Sequence, residues 1–328
     1  MPAVAHGNKN NQSLISSRMS TFSDSRPATY VLVTAAYNET AYIEKTLSSV
    51  VSQTILPAKW IIVSDGSTDG TDEIVHQYAG RYSFIELLRI SESHPRNFAA
   101  QVHAINRGIN RLSSFDYELI GNVDADLSFE HTYFEQLLDR FLADPSLGLG
   151  GGFICEKQNG EFRSRFANST ASVAHAVQLF RRRCFEDTGG YIPLRYGGSD
   201  CHAEVSARMK GWRVCSFPEL PVYHHRASAS AGGLLRGWFR QGQMDFSMGN
   251  HPGFELAKLA RRLGARPALL GAGCRLAGFL WSWSRGEPRL VSQPFIDFLR
   301  KEQVERLQDA FLHPFRSLES LRTVARHG

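Results

Sequence analysis

A chain of 328 residues with 42% hydrophobic and 21% charged side chains is long enough for a large core and too apolar for disorder as its main state. No run reaches the roughly 18 consecutive apolar residues of a membrane-spanning helix; the nearest, Pro267 to Trp283, is broken by Arg275 and several glycines. The formal net charge of +5 is uneven, because Val205 to Gly328 carries 19 Lys+Arg against 9 Asp+Glu, while the residues before it carry a net deficit of five.

In chain order, residues 1–26 are polar, rich in Ser and Asn and without apolar periodicity. They read as a flexible tail, and no continuous apolar segment marks them as a secretory signal. Tyr30 to Ala36 (YVLVTAA) is an apolar run of strand length, and Ile43 to Val51 then takes helical spacing. Trp60 to Val63 is a second strand, closed by the turn-rich SDGSTDG. The segment Thr71 to Tyr78 predicts a helix with Asp69 or Thr71 at its cap. Phe84 to Ile90 and Leu119 to Val123 are the third and fourth strands, each followed by a helix, Asn97 to Arg111 and Thr132 to Leu142.

This alternation predicts an α/β fold with a mainly parallel sheet flanked by helices. Ligands then bind at the carboxyl ends of the strands, where three polar, acid-bearing segments stand, around Asn38, Asp65 and Asp124. Past Gly148 the alternation weakens. The glycines at 148 and 150–152 lack the spacing of a phosphate loop. Five cysteines without CxxC spacing read as reduced thiols in a cytoplasmic protein.

Asp124-Ala125-Asp126 directly follows a buried strand, so two carboxylates reach one site through a turn. Hard divalent cations, Mn²⁺ or Mg²⁺, take such oxygen ligands together with substrate phosphates. Asp65, first after its strand, is placed to accept from a nucleobase N–H, whereas Asp69 reads as a turn residue. Arg181-Arg182-Arg183 contacts phosphates or forms a solvated face, and Trp212 reads as core. The basic C-terminal segment suits an anionic membrane surface or substrate, or equally a solvated helical face. Without a stacking motif or a known module, it does not point to nucleic acid.

The stretch from VLVTAAYNET through WIIVSDGSTDGTDEIV resembles the opening of family 2 glycosyltransferases, which have the GT-A fold. NVDADLSF resembles that family's metal-binding segment, GGYIPLRYGGSDCHAEVSARMKGWRV its later acidic segment, and PVYHHR the histidine segment that follows. The resemblance covers about Tyr30 to Arg226 with four motifs in order. It implies an inverting enzyme that moves a sugar from a nucleotide-diphosphate donor to a glycan or lipid-linked acceptor. Residues 27–226 would then form the catalytic domain and 227–328 a basic helical region.

Carried over residue by residue, the resemblance implies that Ala35, Tyr37 and Glu39 line the nucleotide pocket and Arg96 reaches its nucleotide side. Asp65 would meet the base, Asp124 the ribose and metal, and Asp126 the metal directly. Asp200 matches the catalytic base, although Ser199 replaces the usual Glu before it and His202 a second carboxylate. His224, with His225 beside it, is taken as a metal ligand, the alternatives being a hydrogen bond to pyrophosphate or structural packing. UDP is the favoured nucleotide because Asp65 suits uracil. A nucleotidyltransferase would need a glycine- and lysine-rich phosphate loop that TAAYNET does not supply. A non-catalytic nucleotide-sugar scaffold would be favoured by loss of Asp126 or Asp200, and both are present.

Overall fold

A computed structural model describes residues 28–90, 98–165, 167–226, 233–262 and 268–312; the proposed tail, residues 1–26, and Arg96 lie outside them. The chain begins β1 (Tyr30–Ala36), α1 (Ile43–Val51), β2 (Lys59–Asp65), α2 (Thr71–Ala79), β3 (Ile85–Ile90), α3 (Phe98–Arg111) and β4 (Leu119–Asn122). It continues with β5 (Leu127–Phe129), α4 (Tyr133–Ala143), β6 (Leu147–Gln158), β7 (Glu161–Ser164), β8 (Leu179–Arg181), α5 (Arg182–Thr188), α6 (Ser199–Met209) and β9 (Arg213–His224). The last elements are α7 (Leu234–Ser247), α8 (Pro252–Arg262), α9 (Ala268–Ser284) and α10 (Gln293–Leu312).

The strands form one sheet in the order β3-β2-β1-β4-β8-β6-β9-β5, with β7 paired to β6. The four strands expected from the alternation pair in parallel, β3 with β2, β2 with β1 and β1 with β4. Beyond β4 the pairs are antiparallel except for β6 with β9. Period-2 alternation explains why the first strands are apolar throughout. Tyr30, Leu32, Trp60 and Ile62 enter a core on one face, and Val31, Val33, Ile61 and Val63 enter a second core on the other. On the second face α3 lies close to the sheet at Gly108, where an added Cβ would stand 2.5 Å from a Val33 methyl.

The glycine tract belongs to β6 and serves packing. A Cβ on Gly151 would meet the Val177 carbonyl oxygen at 2.5 Å, and one on Gly152 the Leu220 carbonyl oxygen at 2.1 Å. The C-terminal helices pack on the sheet domain through α6. Leu194, Val205, Met248, Phe295 and Leu299 form a third apolar cluster. Arg208 Nε donates to Glu302 Oε1 at 2.6 Å beside it. His202 stacks on Phe295 with ring centroids 4.9 Å apart, so it faces α10 as a structural group.

Arg181 is structural as well. Its guanidinium donates to the carbonyl oxygens of Phe141 at 2.8 Å and Leu147 at 3.2 Å, satisfying backbone at the end of α4 and the start of β6 rather than a phosphate. Arg182 pairs with Glu186 at 2.9 Å. Trp212 is half-buried against the second core, and its indole donates to Asp187 at 2.9 Å.

Candidate active site

Two hydroxyls fix the loop that carries Asp124 and Asp126. Thr34, fully buried in β1, accepts from the Trp60 indole at 2.9 Å and donates to the Val123 carbonyl oxygen at 2.6 Å, so the end of β4 is tied to β1 and β2. Thr46 on α1 both accepts from the Leu127 N–H and donates to the Leu127 carbonyl oxygen, each at 2.9 Å. The Asp-Ala-Asp turn is thereby held on both sides. Breaking one such buried bond and orphaning its partner costs about 1–3 kcal/mol.

The ends of β1 and β2 are level, since Ala36 pairs with Ser64, which sets Asp65 beside the start of the Tyr37–Glu39 loop. That loop is laced to the turn after β2. Asn38, at φ 53, accepts from the Thr68 N–H at 2.9 Å, and the Glu39 N–H donates to Thr71 Oγ1 at 2.8 Å. Asp69 accepts from the Thr71 N–H at 3.1 Å, while Gly70, at φ 96, occupies the cap position of α2. Asp65 itself is buried and Tyr37 exposed at the rim.

Asp126 is 7% exposed and meets two cations from the far end of the sheet. The register of β9 places His224 opposite Leu127 of β5 and Glu156 of β6. His224 Nε2 then lies 3.3 Å and Arg226 Nε 3.1 Å from Asp126 Oδ2. Arg226 also pairs with Glu39. Burial works against the Asp126 charge, but His224 and Arg226 outweigh it and hold the carboxyl below the usual range. Burial likewise disfavours a charged His224, yet Asp126 and Glu156 carry its imidazole up to about 9. Burial raises Glu39 to about 7 despite Arg226. His225 turns away: its Nε2 is 2.8 Å from Ser128 Oγ, and its ring packs on Phe162.

Asp124 sits among polar groups that the motif alone did not reveal. Its Oδ1 accepts from Gln101 at 3.1 Å and Asn122 at 3.2 Å, with His175 Nδ1 at 3.8 Å. Burial pushes this carboxyl above its ordinary value. The His175 ring packs against Tyr191, whose hydroxyl donates to Gln178 at 2.7 Å. His175 stands on a 3-10 turn (His175–Val177) in a stretch without motif character; Arg226 was the last residue of the histidine segment but had no assigned part.

Asp200 lies in the first turn of α6, which starts at Ser199. Gly197 and Gly198, at φ 91 and 94, make the turn and pack against Phe98 and Met244. The Asp200 carboxylate accepts from the Cys201 N–H at 2.8 Å. One turn on, Glu204 accepts from the Val173 N–H at 2.7 Å and the Ser172 hydroxyl at 3.0 Å. Burial, with Asp200 adding to it, raises Glu204 to about 8. Ser199 donates to the Ile192 carbonyl oxygen at 2.7 Å.

Among the described residues no group of three His, Cys, Asp or Glu side chains stands ready to hold a metal ion. The donor types nevertheless fit one. Asp126 supplies a charged oxygen and His224 a nitrogen 3.3 Å from it, and a hard divalent ion bound to few protein ligands takes the rest from substrate phosphate.

Comparison with known proteins gives one consistent answer. Residues 31–196 match the model of the family described as Glycosyl transferase family 2. The chain is 29% identical over 226 residues to the glycosyltransferase AglE of Haloferax volcanii, covering 65% of this chain and 71% of that protein. It is 31% identical over 220 residues to the poly-beta-1,6-N-acetyl-D-glucosamine synthase of Staphylococcus aureus, covering 62% of this chain and only 51% of the synthase. Among solved structures, the mannosyltransferase PcManGT from Pyrobaculum calidifontis, described in complex with GDP-Man and Mn²⁺, superposes with a TM-score of 0.50 at 19% identity, covering 92% of this chain and 86% of that one. GalNAc-T7 with UDP, GalNAc and Mn²⁺ gives 0.52 at 13% identity, covering 81% and 59%. At these identities the two structures speak for the fold, a mixed α/β GT-A architecture.

Proposed function

The chain belongs to glycosyl transferase family 2 and is a glycosyltransferase, and from that premise we propose that it transfers one sugar, with inversion, from a nucleotide-diphosphate donor to a glycan or lipid-linked acceptor. The observation that carries the reading is the convergence of Asp126, His224 and Arg226 beside Asp124 at the carboxyl edge of the parallel strands.

In this reading Asp65 accepts from the N–H of the base, which favours uracil, and Ala35, Tyr37 and Glu39 line the nucleotide pocket, with Arg96 on its nucleotide side. Asp126 and His224, with Asp124, would hold Mn²⁺ or Mg²⁺, which would supply Lewis-acid stabilisation of the charge on the departing diphosphate. Support for Mn²⁺ comes from its presence in both superposed structures. Arg226, already paired with two carboxylates, adds fixed positive charge beside the same group. Asp200 takes the proton of the acceptor hydroxyl as it attacks the anomeric carbon. A single displacement needs one base and no covalent nucleophile.

The same reading divides the chain into a catalytic domain over 27–226 and a basic helical region over 227–328. It sets the enzyme in the cytoplasm, peripheral to the inner face of a membrane; five free thiols and the basic surplus support that setting. Thermal shift against a panel of nucleotide-sugars, with and without Mn²⁺, tests the function. A Mn²⁺-dependent rise in melting temperature with UDP-sugars is expected. Stabilisation by GDP-sugars alone would replace the donor. No response to any nucleotide-sugar would remove the catalytic reading, and binding without transfer would leave a scaffold.

A further inference from the structure

The 17 residues of α9, ALLGAGCRLAGFLWSWS, contain a single charge, Arg275. That guanidinium points inward and is 5% exposed. Its Nε donates to Asp245 Oδ2 at 2.5 Å, with Glu255 Oε2 3.8 Å away. The same inner face meets α7 at close range. A Cβ on Gly242 would stand 1.9 Å from the Arg275 carbonyl oxygen, and one on Gly278 1.9 Å from that of Phe239. A buried ion pair and two glycine contacts therefore fix which side of α9 faces out.

The outward side has no charged residue. Leu270, Leu280, Trp281 and Trp283 are 64%, 42%, 49% and 67% exposed. Gly273 and Ala277 lie between Leu270 and Leu280 and are exposed too, so positions 270, 273, 277, 280 and 281 make one stripe at helical spacing. An ordinary surface helix turns charged side chains to water. A helix that buries its only charge and exposes leucine and tryptophan presents a binding face.

Three observations choose the occupant. The Arg285 guanidinium lies 5.3 Å from the Trp281 ring centroid, so the stripe ends in an aromatic and a cation, the pairing suited to a lipid headgroup layer. Residues 205–328 carry a surplus of ten positive charges, which complements an anionic leaflet. No helix among the described residues is long and apolar enough to cross a membrane, which leaves α9 to lie in its surface. We propose that the outer face of α9 is the docking element of this protein on an anionic lipid bilayer, with Leu270, Leu280 and Trp281 at the acyl boundary and Arg285 among the headgroups. Docking in this way does not depend on which donor or base the catalytic reading assigns.

The test floats the full chain with vesicles of phosphatidylcholine and phosphatidylglycerol, and with phosphatidylcholine alone, at low and high salt. The wild type is expected to float with the anionic vesicles at low salt and less with neutral ones. Leu280→Ser/Trp281→Ser, which changes only exposed side chains, should lower partitioning about tenfold or more while keeping the circular dichroism and melting temperature of the wild type. Brominated lipid should quench wild-type tryptophan fluorescence, a readout that needs no variant. Failure to float, unquenched fluorescence, or flotation of the double variant equal to wild type would overturn the proposal. A dimer mass by light scattering that the double variant abolishes, without flotation, would overturn it in favour of a second copy of the chain.

Discussion

His224 Nε2 lies 3.3 Å from Asp126 Oδ2 although 98 positions separate the two residues along the chain. The contact exists because β9 ends beside β5, on the strand immediately after the Asp-Ala-Asp turn. One strand register thus brings together a carboxylate and an imidazole at the mouth of the parallel strands. The adjacent histidine, whose side chain points to the opposite side of β9, meets Ser128 instead.

That division of labour gives the first prediction. His224→Ala should weaken Mn²⁺-dependent binding of UDP by at least about tenfold, in line with loss of a polar ligand worth over 1 kcal/mol. His225→Ala should leave that affinity within about twofold and lower stability by about 1 kcal/mol through its Ser128 bond. Isothermal titration with UDP, with and without Mn²⁺, measures both. Equal effects of the two substitutions would break the assignment.

Asp126→Ala should abolish the Mn²⁺-dependent part of nucleotide binding while circular dichroism stays that of the wild type. The fold should survive because Thr34 and Thr46 hold the turn through main-chain groups that the substitution does not touch. Mn²⁺-dependent nucleotide affinity and turnover equal to wild type would remove Asp126 from the metal site.

Packing predicts a contrast between two glycines. Gly152→Ala drives a Cβ onto the Leu220 carbonyl oxygen and should separate β6 from β9, costing about 1–3 kcal/mol or preventing folding. Gly237→Ala, in α7 with no atom within 4 Å of the added Cβ, should be neutral or stabilising by up to about 1 kcal/mol. Urea denaturation of both variants checks the pair.

The first strands and their polar ends were legible because each is a short apolar run stopped by turn residues, and a sheet buried on both faces writes itself that way in sequence. The glycine-rich β6 was not. Its strand character comes from neighbours such as Val177 and Leu220 that occupy the space where side chains would be. The start of α6 at Ser199 was hidden by two glycines whose left-handed conformation is a property of the packed turn. His175, Arg226 and Glu204 escaped notice because their partners stand 51, 100 and 31 positions away, and no local spacing reports such pairs.

Acid stability follows from His202. Burial against Phe295 lowers its imidazole to about 4, so the folded protein holds it neutral while the unfolded chain protonates it near 6.5. The unfolded state therefore binds more protons between those values. Stability should fall as pH drops from about 6.5 toward 4, by on the order of 2 kcal/mol after allowance for partial exposure. His202→Phe, which keeps a ring on Phe295, should flatten this part of the curve in urea titrations from pH 7 to 4. An unchanged slope would dismiss His202 as its source.

The central claim is that Asp200 takes the acceptor's proton, and Asp200→Asn tests it most directly. The substitution keeps size and shape. As a first-turn residue of α6 it changes the helix-end electrostatics by only about 0.3–1 kcal/mol. Transfer rate and donor affinity should be measured on the same preparation with saturating acceptor. The account predicts a rate lower by about 10²- to 10⁴-fold with donor and Mn²⁺ affinity unchanged, because those contacts belong to Asp65, Asp124 and Asp126. A rate near that of the wild type would contradict it.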